Sequence, residues 1–165
     1  MTAHASWTTS GPPHPATRTL SGCRLRTLAI PGLGPVLEVV LSGRQDPDFW
    51  QSVRDVLREE IPGRSPRFLV FDLRGLDCIV GSALLGGLVA GALEMKRLGR
   101  LGGARIVATG EIATRLTRTL SLCKLEPVLG AVHGDMASAL YDAPARGDAC
   151  GPPRPSRHAR ASSSG

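Results

Sequence analysis

The sequence has little of what membrane proteins and most enzymes need. Its longest uncharged apolar stretch, Cys78 to Leu93, runs for sixteen residues and contains Gly81, Gly86, Gly87 and Gly91. That is short of the ~20 residues that span a bilayer. A buried helix is expected there, and no membrane association. Cys23, Cys78, Cys123 and Cys150 are widely spaced and form no C-x-x-C, and no histidine stands at metal-ligand spacing from them. Reduced thiols and no metal site are therefore expected. His4, His14 and His158 fall in the tails and His133 in a loop, and none pairs with an acid at useful spacing. Gly81-Ser82 lacks the flanking glycines of a nucleophile elbow, and Gly32-Leu33-Gly34 lacks the third glycine and following helix of a dinucleotide loop. A phosphate-binding lysine loop is missing too, so neither an enzyme nor a cofactor is expected. The first residues, MTAHASWTTSGPPHP, are polar and proline-rich. They lack the basic start and apolar core of a secretory signal, so a cytoplasmic location is expected.

A basic face for nucleic acid is also missing once the charge is partitioned. The chain of 165 residues carries a formal +6, but residues 24–142 hold 15 Lys/Arg against 13 Asp/Glu, a net +2. The excess lies mostly at Arg18, Arg146, Arg154, Arg157 and Arg160, outside the apolar part, and no direct DNA binding is expected. Residues 1–22 and 143–165 are rich in Ser, Thr, Pro and Gly without apolar periodicity. Both are expected to be disordered, a leader and a basic tail around one domain at 23–142.

What is present between those ends alternates regularly. Cys23–Ile30 and Val36–Leu41 are strand candidates joined by Pro31-Gly32-Leu33-Gly34-Pro35, a β-hairpin. Asp46-Pro47-Asp48 then opens a helix, with Asp46 as N-cap and proline at the first helical position. Trp50, Val53, Leu57 and Ile61 give that helix one apolar stripe, and it is expected to stop before Pro62-Gly63. Phe68-Leu69-Val70-Phe71 is apolar at every position and ends at Asp72, the pattern of a central strand buried on both faces. Ser82 to Leu98 supplies a helix apolar on nearly every side until Glu94, Lys96 and Arg97; its glycines are expected to admit another backbone closely. Ala104–Ala108 is a further strand, and Thr109-Gly110-Glu111 starts a helix with Ile112, Leu116 and Leu120 on one stripe. Leu125 to Leu129 is expected to be a last weak strand, and Asp135 to start a final helix with Met136, Ala139 and Leu140. The order β-β-α-β-α-β-α-β-α predicts an α/β domain with a mixed sheet of four to five strands and about four helices.

Ser82 stands where strand gives way to helix, beside backbone N–H groups without helical partners. Two readings apply. Its hydroxyl caps the helix by accepting from a backbone N–H, or it receives a phosphate, whose charge a helix N-terminus tolerates. Asp72, at a strand end, suits loop hydrogen bonds first and a functional acid second.

These residues resemble a STAS domain, specifically a bacterial anti-sigma factor antagonist. That family shows a hydrophobic strand ending in Asp, a Ser-Gly-Val-like turn, an apolar pair, then Asp-Ser-Ser-Gly-Leu opening a helix. Here the region reads Phe71-Asp72-Leu73-Arg74-Gly75-Leu76-Asp77-Cys78-Ile79, then Val80-Gly81-Ser82-Ala83-Leu84. Gly43-Arg44-Gln45-Asp46 falls where the family has Gly-Glu-Leu-Asp, and Leu120 to Leu129 resembles its Leu-x-Leu-Thr-Gly-Leu-Asp segment. The resemblance covers residues 24–141. It implies that Ser82 accepts phosphate and that Asp46, Asp72, Gly81, Ala83 and Leu84 share a partner surface. The implied partner is an anti-sigma factor that is also a serine kinase, bound by the unphosphorylated chain so that a sigma factor is released. Val80, Gly81, Ala83 and Lys124 depart from the family pattern, with Val80 in place of its Asp. Val80 and Gly81 favour an alternative: a STAS-like scaffold or ligand-sensing subunit that assembles with other STAS proteins or itself, without phosphate chemistry. Homodimerisation through an exposed face at Gly87 and Gly91 is compatible with either.

Overall fold

A computed structural model describes residues 18–20, 22–79, 82–100 and 102–141. Gly81 and Val80 lie outside them, as do most of the expected leader and the whole of the expected tail beyond residue 142. Six strands form one mixed sheet in sequential order: β1 (Arg18–Leu20), β2 (Cys23–Ile30), β3 (Gly34–Gly43), β4 (Phe68–Leu76), β5 (Ala104–Val107) and β6 (Val132–His133). The β1–β2 and β2–β3 pairs are antiparallel, and β3 to β6 are parallel throughout. The described residues form five helices: α1 (Pro47–Arg64), α2 (Ala83–Arg97), α3 (Gly110–Leu122), α4 (Glu126–Leu129) and α5 (Met136–Tyr141). The α/β class and the mixed sheet are as expected, with six strands instead of four to five and five helices instead of about four.

Three differences from the sequence reading have local causes. Arg18–Leu20, expected within the leader, pairs with Cys23–Leu25 as a short edge strand. The segment Leu125 to Leu129 is a helical turn, not a strand. Pro127 has no N–H for a ladder, and its fixed φ suits the first turn of a helix. The last strand falls instead at Val132–His133, so His133 is a buried strand residue and not a loop residue. Helix α1 continues through Pro62 to Arg64. Pro62 is exposed, so the carbonyl it leaves unbonded stays in water, and the helix ends only at Ser65, whose φ of 45° turns the chain.

Strand register sorts the side chains into two faces. Leu37, Leu69 and Ala104 form one row, and Val39, Phe71 and Ile106 the next, all facing α1, α2 and α3. The other face carries Val36, Val70 and Val107 under α5, and beside them Glu38 and Asp72. Strands added in sequential order by crossovers of one hand put their helices on one face, which is why α5 alone is left for the other. Glu38, buried in the middle of that second face, is ion-paired with half-exposed Arg26 on the neighbouring strand.

Helix α2 is seated by its glycines. A Cβ on Gly87 would lie 2.5 Å from the Trp50 ring, and one on Gly91 would lie 2.7 Å from Phe71 and 2.8 Å from Leu69. The expected close approach is real, but it is made by side chains of α1 and β4 and not by another backbone. Both glycines are buried, so a homodimer face through Gly87 and Gly91 is ruled out. Gly86, one position away, is exposed with nothing within 4 Å. Gly91→Ala is expected to destabilise the domain by about 1–3 kcal/mol through overpacking. Gly86→Ala is expected to stabilise it by up to about 1 kcal/mol through helix propensity. Urea midpoints of the two variants check this, and similar shifts for both would contradict the packing described.

Candidate functional site

Parallel strands β3, β4 and β5 end along one edge of the sheet, and the loops leaving them open α1, α2 and α3. Such an edge, where helix N-termini converge, is the usual place for a site in an open α/β sheet. The loops are tied together there. The backbone N–H of Asp77 donates to the carbonyl of Gly43 at 3.2 Å, joining the β4–α2 loop to the β3–α1 loop. Buried Gln45 donates from Nε2 to the carbonyl of Ser42 and, at 3.5 Å, to that of Gly22. It fastens the same loop to the start of β2.

Asp46 and Ser82 occupy equivalent places at this edge but behave differently. Asp46 has extended backbone (φ −97°, ψ 170°), and its carboxylate accepts from the Phe49 N–H at 2.7 Å. That is a working N-cap. Ser82 has helical backbone (φ −80°, ψ −10°), and its carbonyl already accepts from the Gly86 N–H at 3.1 Å. A side chain on helical backbone points away from the next turn's N–H groups, and Ser82 makes no side-chain capping hydrogen bond. Of the two readings of its hydroxyl, capping is therefore not the one the structure contains. Ser82 is exposed, Ala83 is half-buried, and Leu84 is buried beneath them.

Asp72 lies apart from this group. It pairs in register with Val40 and Val107 and so faces α5, on the opposite side of the sheet from α2. Its carboxylate is held by Arg74, Oδ1 accepting from Nε at 2.9 Å and from the backbone N–H at 3.1 Å, and Oδ2 from Nη2 at 2.7 Å. A bulge lies in the same stretch: two steps along β3, from Val40 to Ser42, match three along β4, from Asp72 to Gly75. Burial pushes the Asp72 carboxyl up, but the Arg74 hydrogen bonds, with the charges of Arg74 and Arg26, outweigh it and hold it below the usual value. A carboxyl depressed in the folded state stabilises above its unfolded value of about 4 and loses that contribution as pH falls through the folded value. Asp72→Asn is expected to cost about 1–3 kcal/mol at pH 7. Urea unfolding across pH is expected to show the penalty shrinking below about pH 4, and a penalty independent of pH would contradict the pairing.

Next to Ser82 the surface opens into a groove of about 380 Å³ between α2 and α3. Leu84, Leu85 and Leu116 form its apolar lining, Arg115 and Arg118 stand on its rim, and Leu122, 74% exposed, lies at its end. The sequence reading passed over this groove, although Leu122 carried a signal. It stands two positions after Leu120, about 200° around the helix from the buried stripe. Arg74 was missed as well, because the partner of Asp72 is its own neighbour along the strand.

No family model and no curated protein matches the chain. Solved structures do resemble it. One is an anti-sigma factor antagonist from Mycobacterium paratuberculosis, 24% identical, with a TM-score of 0.44 over 77% of this chain and 90% of that one. Another is the anti-sigma factor antagonist SpoIIAA in its unphosphorylated form, 10% identical, with a TM-score of 0.48 over 72% of this chain and 94% of that one. Among the described residues no helix is long and apolar enough to cross a membrane. Cys23, Cys78 and Cys123 are free thiols, and burial pushes the thiol of Cys23 up to about 11.

Proposed function

We propose that the chain is an anti-sigma factor antagonist, a non-enzymatic switch that binds an anti-sigma factor when Ser82 is free and releases it when Ser82 carries phosphate. One observation carries the reading: an exposed serine hydroxyl at the start of a fifteen-residue helix, on helical backbone and without a capping bond. A hydroxyl not used in capping is open to a kinase, and the helix N-terminus favours the incoming charge by about 0.3–1 kcal/mol. The residues of the β4–α2 junction that resemble the family pattern support the same reading. The partner would be a serine kinase bringing its own ATP. The partner surface would centre on Ser82, Ala83 and the loop of Asp46, tied to the junction through Gly43 and Asp77. Leu84 would act by holding Ala83 in place and Asp72 by holding the bulge of β4, since neither presents an exposed side chain. Gly81 belongs to the same surface by its place in the sequence. The fold would be an independent domain at 23–142, working in the cytoplasm.

Val80, in place of the family's acid, favours the second reading, a STAS-like scaffold that works without phosphate. Incubation with a candidate partner kinase and ATP separates the two. One added phosphate mapped to Ser82, and none on Ser82→Ala, is the expected result. An unmodified chain that still binds the kinase, or Ser82→Ala modified to the same extent, would sink the switch at this residue.

A further inference from the structure

The groove beside Ser82 has a shape and charge of its own. Along α3, Arg115, Arg118, Thr119 and Leu122 stand at i, i+3, i+4 and i+7, so they form one stripe about 10 Å long, two helical turns. Facing it is half-buried Leu85 from the first turn of α2, with buried Leu84 beneath. The floor is apolar, while among the described residues the charged side chains lining the groove are Arg115 and Arg118. Arg115 shares a solvent-exposed ion pair with Glu111 at 2.9 Å, worth little in water, and Arg118 has no ion-pair partner among the described residues. An apolar trough two turns long with a basic rim fits the apolar stripe of an amphipathic helix whose flanking residues are acidic.

We propose that this α2–α3 groove docks an acidic amphipathic helix of the partner protein. The inference rests on the partner-binding reading above and adds the partner's chemistry to it. It also gives the phosphate something to act on. Ser82, on helical backbone, stands three residues before the lining residue Leu85, one turn back on the same helix face, so a phosphate there adds about −1.5 to −2 charges near that end of the groove. Acidic side chains in the groove would be repelled by that charge, whereas the domain's own helix N-terminus tolerates it.

The test uses the full chain and designed peptides of about sixteen residues with leucine at i, i+3, i+4 and i+7, flanked by glutamate in one and lysine in the other. Titrations followed by fluorescence anisotropy and amide chemical shifts are expected to show saturable binding of the glutamate peptide, with shifts centred on residues 84–85 and 115–122. Affinity is expected to fall about tenfold on Leu122→Ala and on Arg118→Glu, and to stay unchanged on Leu93→Ala, an exposed leucine elsewhere on α2. Equal binding of the lysine peptide, unaltered affinity in the two groove variants, or no binding would overturn the proposal. So would sedimentation showing that Leu122 instead joins two copies of this chain. No kinase and no change at Ser82 enters this experiment, so its outcome stands apart from that of the phosphorylation assay.

Discussion

Everything at the candidate site depends on how closely α2 sits on the rest of the domain. Gly87 against Trp50 and Gly91 against Phe71 and Leu69 leave no room for a side chain, and they fix the helix both laterally and along its axis. Because α2 cannot slide, its first turn emerges at one place on the carboxyl edge of the sheet. Overpacking by even a methyl group is costly in a dense interior. The seam therefore sets the position of Ser82 more firmly than any contact Ser82 makes itself. A site on a helix start so seated is held in place by the domain's own packing.

That rigidity explains the division of labour along the edge. Asp46 spends its carboxylate on capping α1, and Gln45 ties the loop before it to β2. Asp72 spends its own on Arg74 and the bulge. Ser82 keeps its hydroxyl exposed and uncommitted to capping at the start of α2, as Thr109 does at the start of α3. The groove between α2 and α3 is lined by Leu84 and Leu85 of the same first turn. Both proposals use this adjacency, of a residue whose charge is changed by one event and a basic apolar surface on which charge decides the partner.

Much of this was legible in the residues. Phe68–Phe71, apolar at four consecutive positions, is the central strand because only burial on both faces suits such a run. Asp46-Pro47-Asp48 names its own helix start, and the glycines of α2 announce close packing. What the glycines touch was not legible, because contact with Trp50, 37 residues away in the chain, is a property of the fold. The end of the sheet was misread for a related reason. Leu125 to Leu129 has the apolar content of a strand, but Pro127 and the positive φ of Gly130 turn it into a helical turn, and the pairing passes to two residues with weaker patterns, Val132 and His133. The family resemblance implied that Asp72 shares the surface of Ser82. Side chains alternate along a strand, so its place beside Val70 and Val107 puts it on the other face.

The central claim is that Ser82 stands at the head of α2 without capping it. Its most direct test is the unfolding free energy of Ser82→Ala beside that of Asp46→Ala, both measured in urea on the unphosphorylated chain. The structure predicts a change within about 0.5 kcal/mol for Ser82→Ala and a loss of about 1 kcal/mol for Asp46→Ala, whose cap is present. A loss at Ser82 equal to that at Asp46 would show the hydroxyl to be a cap, and would contradict the account.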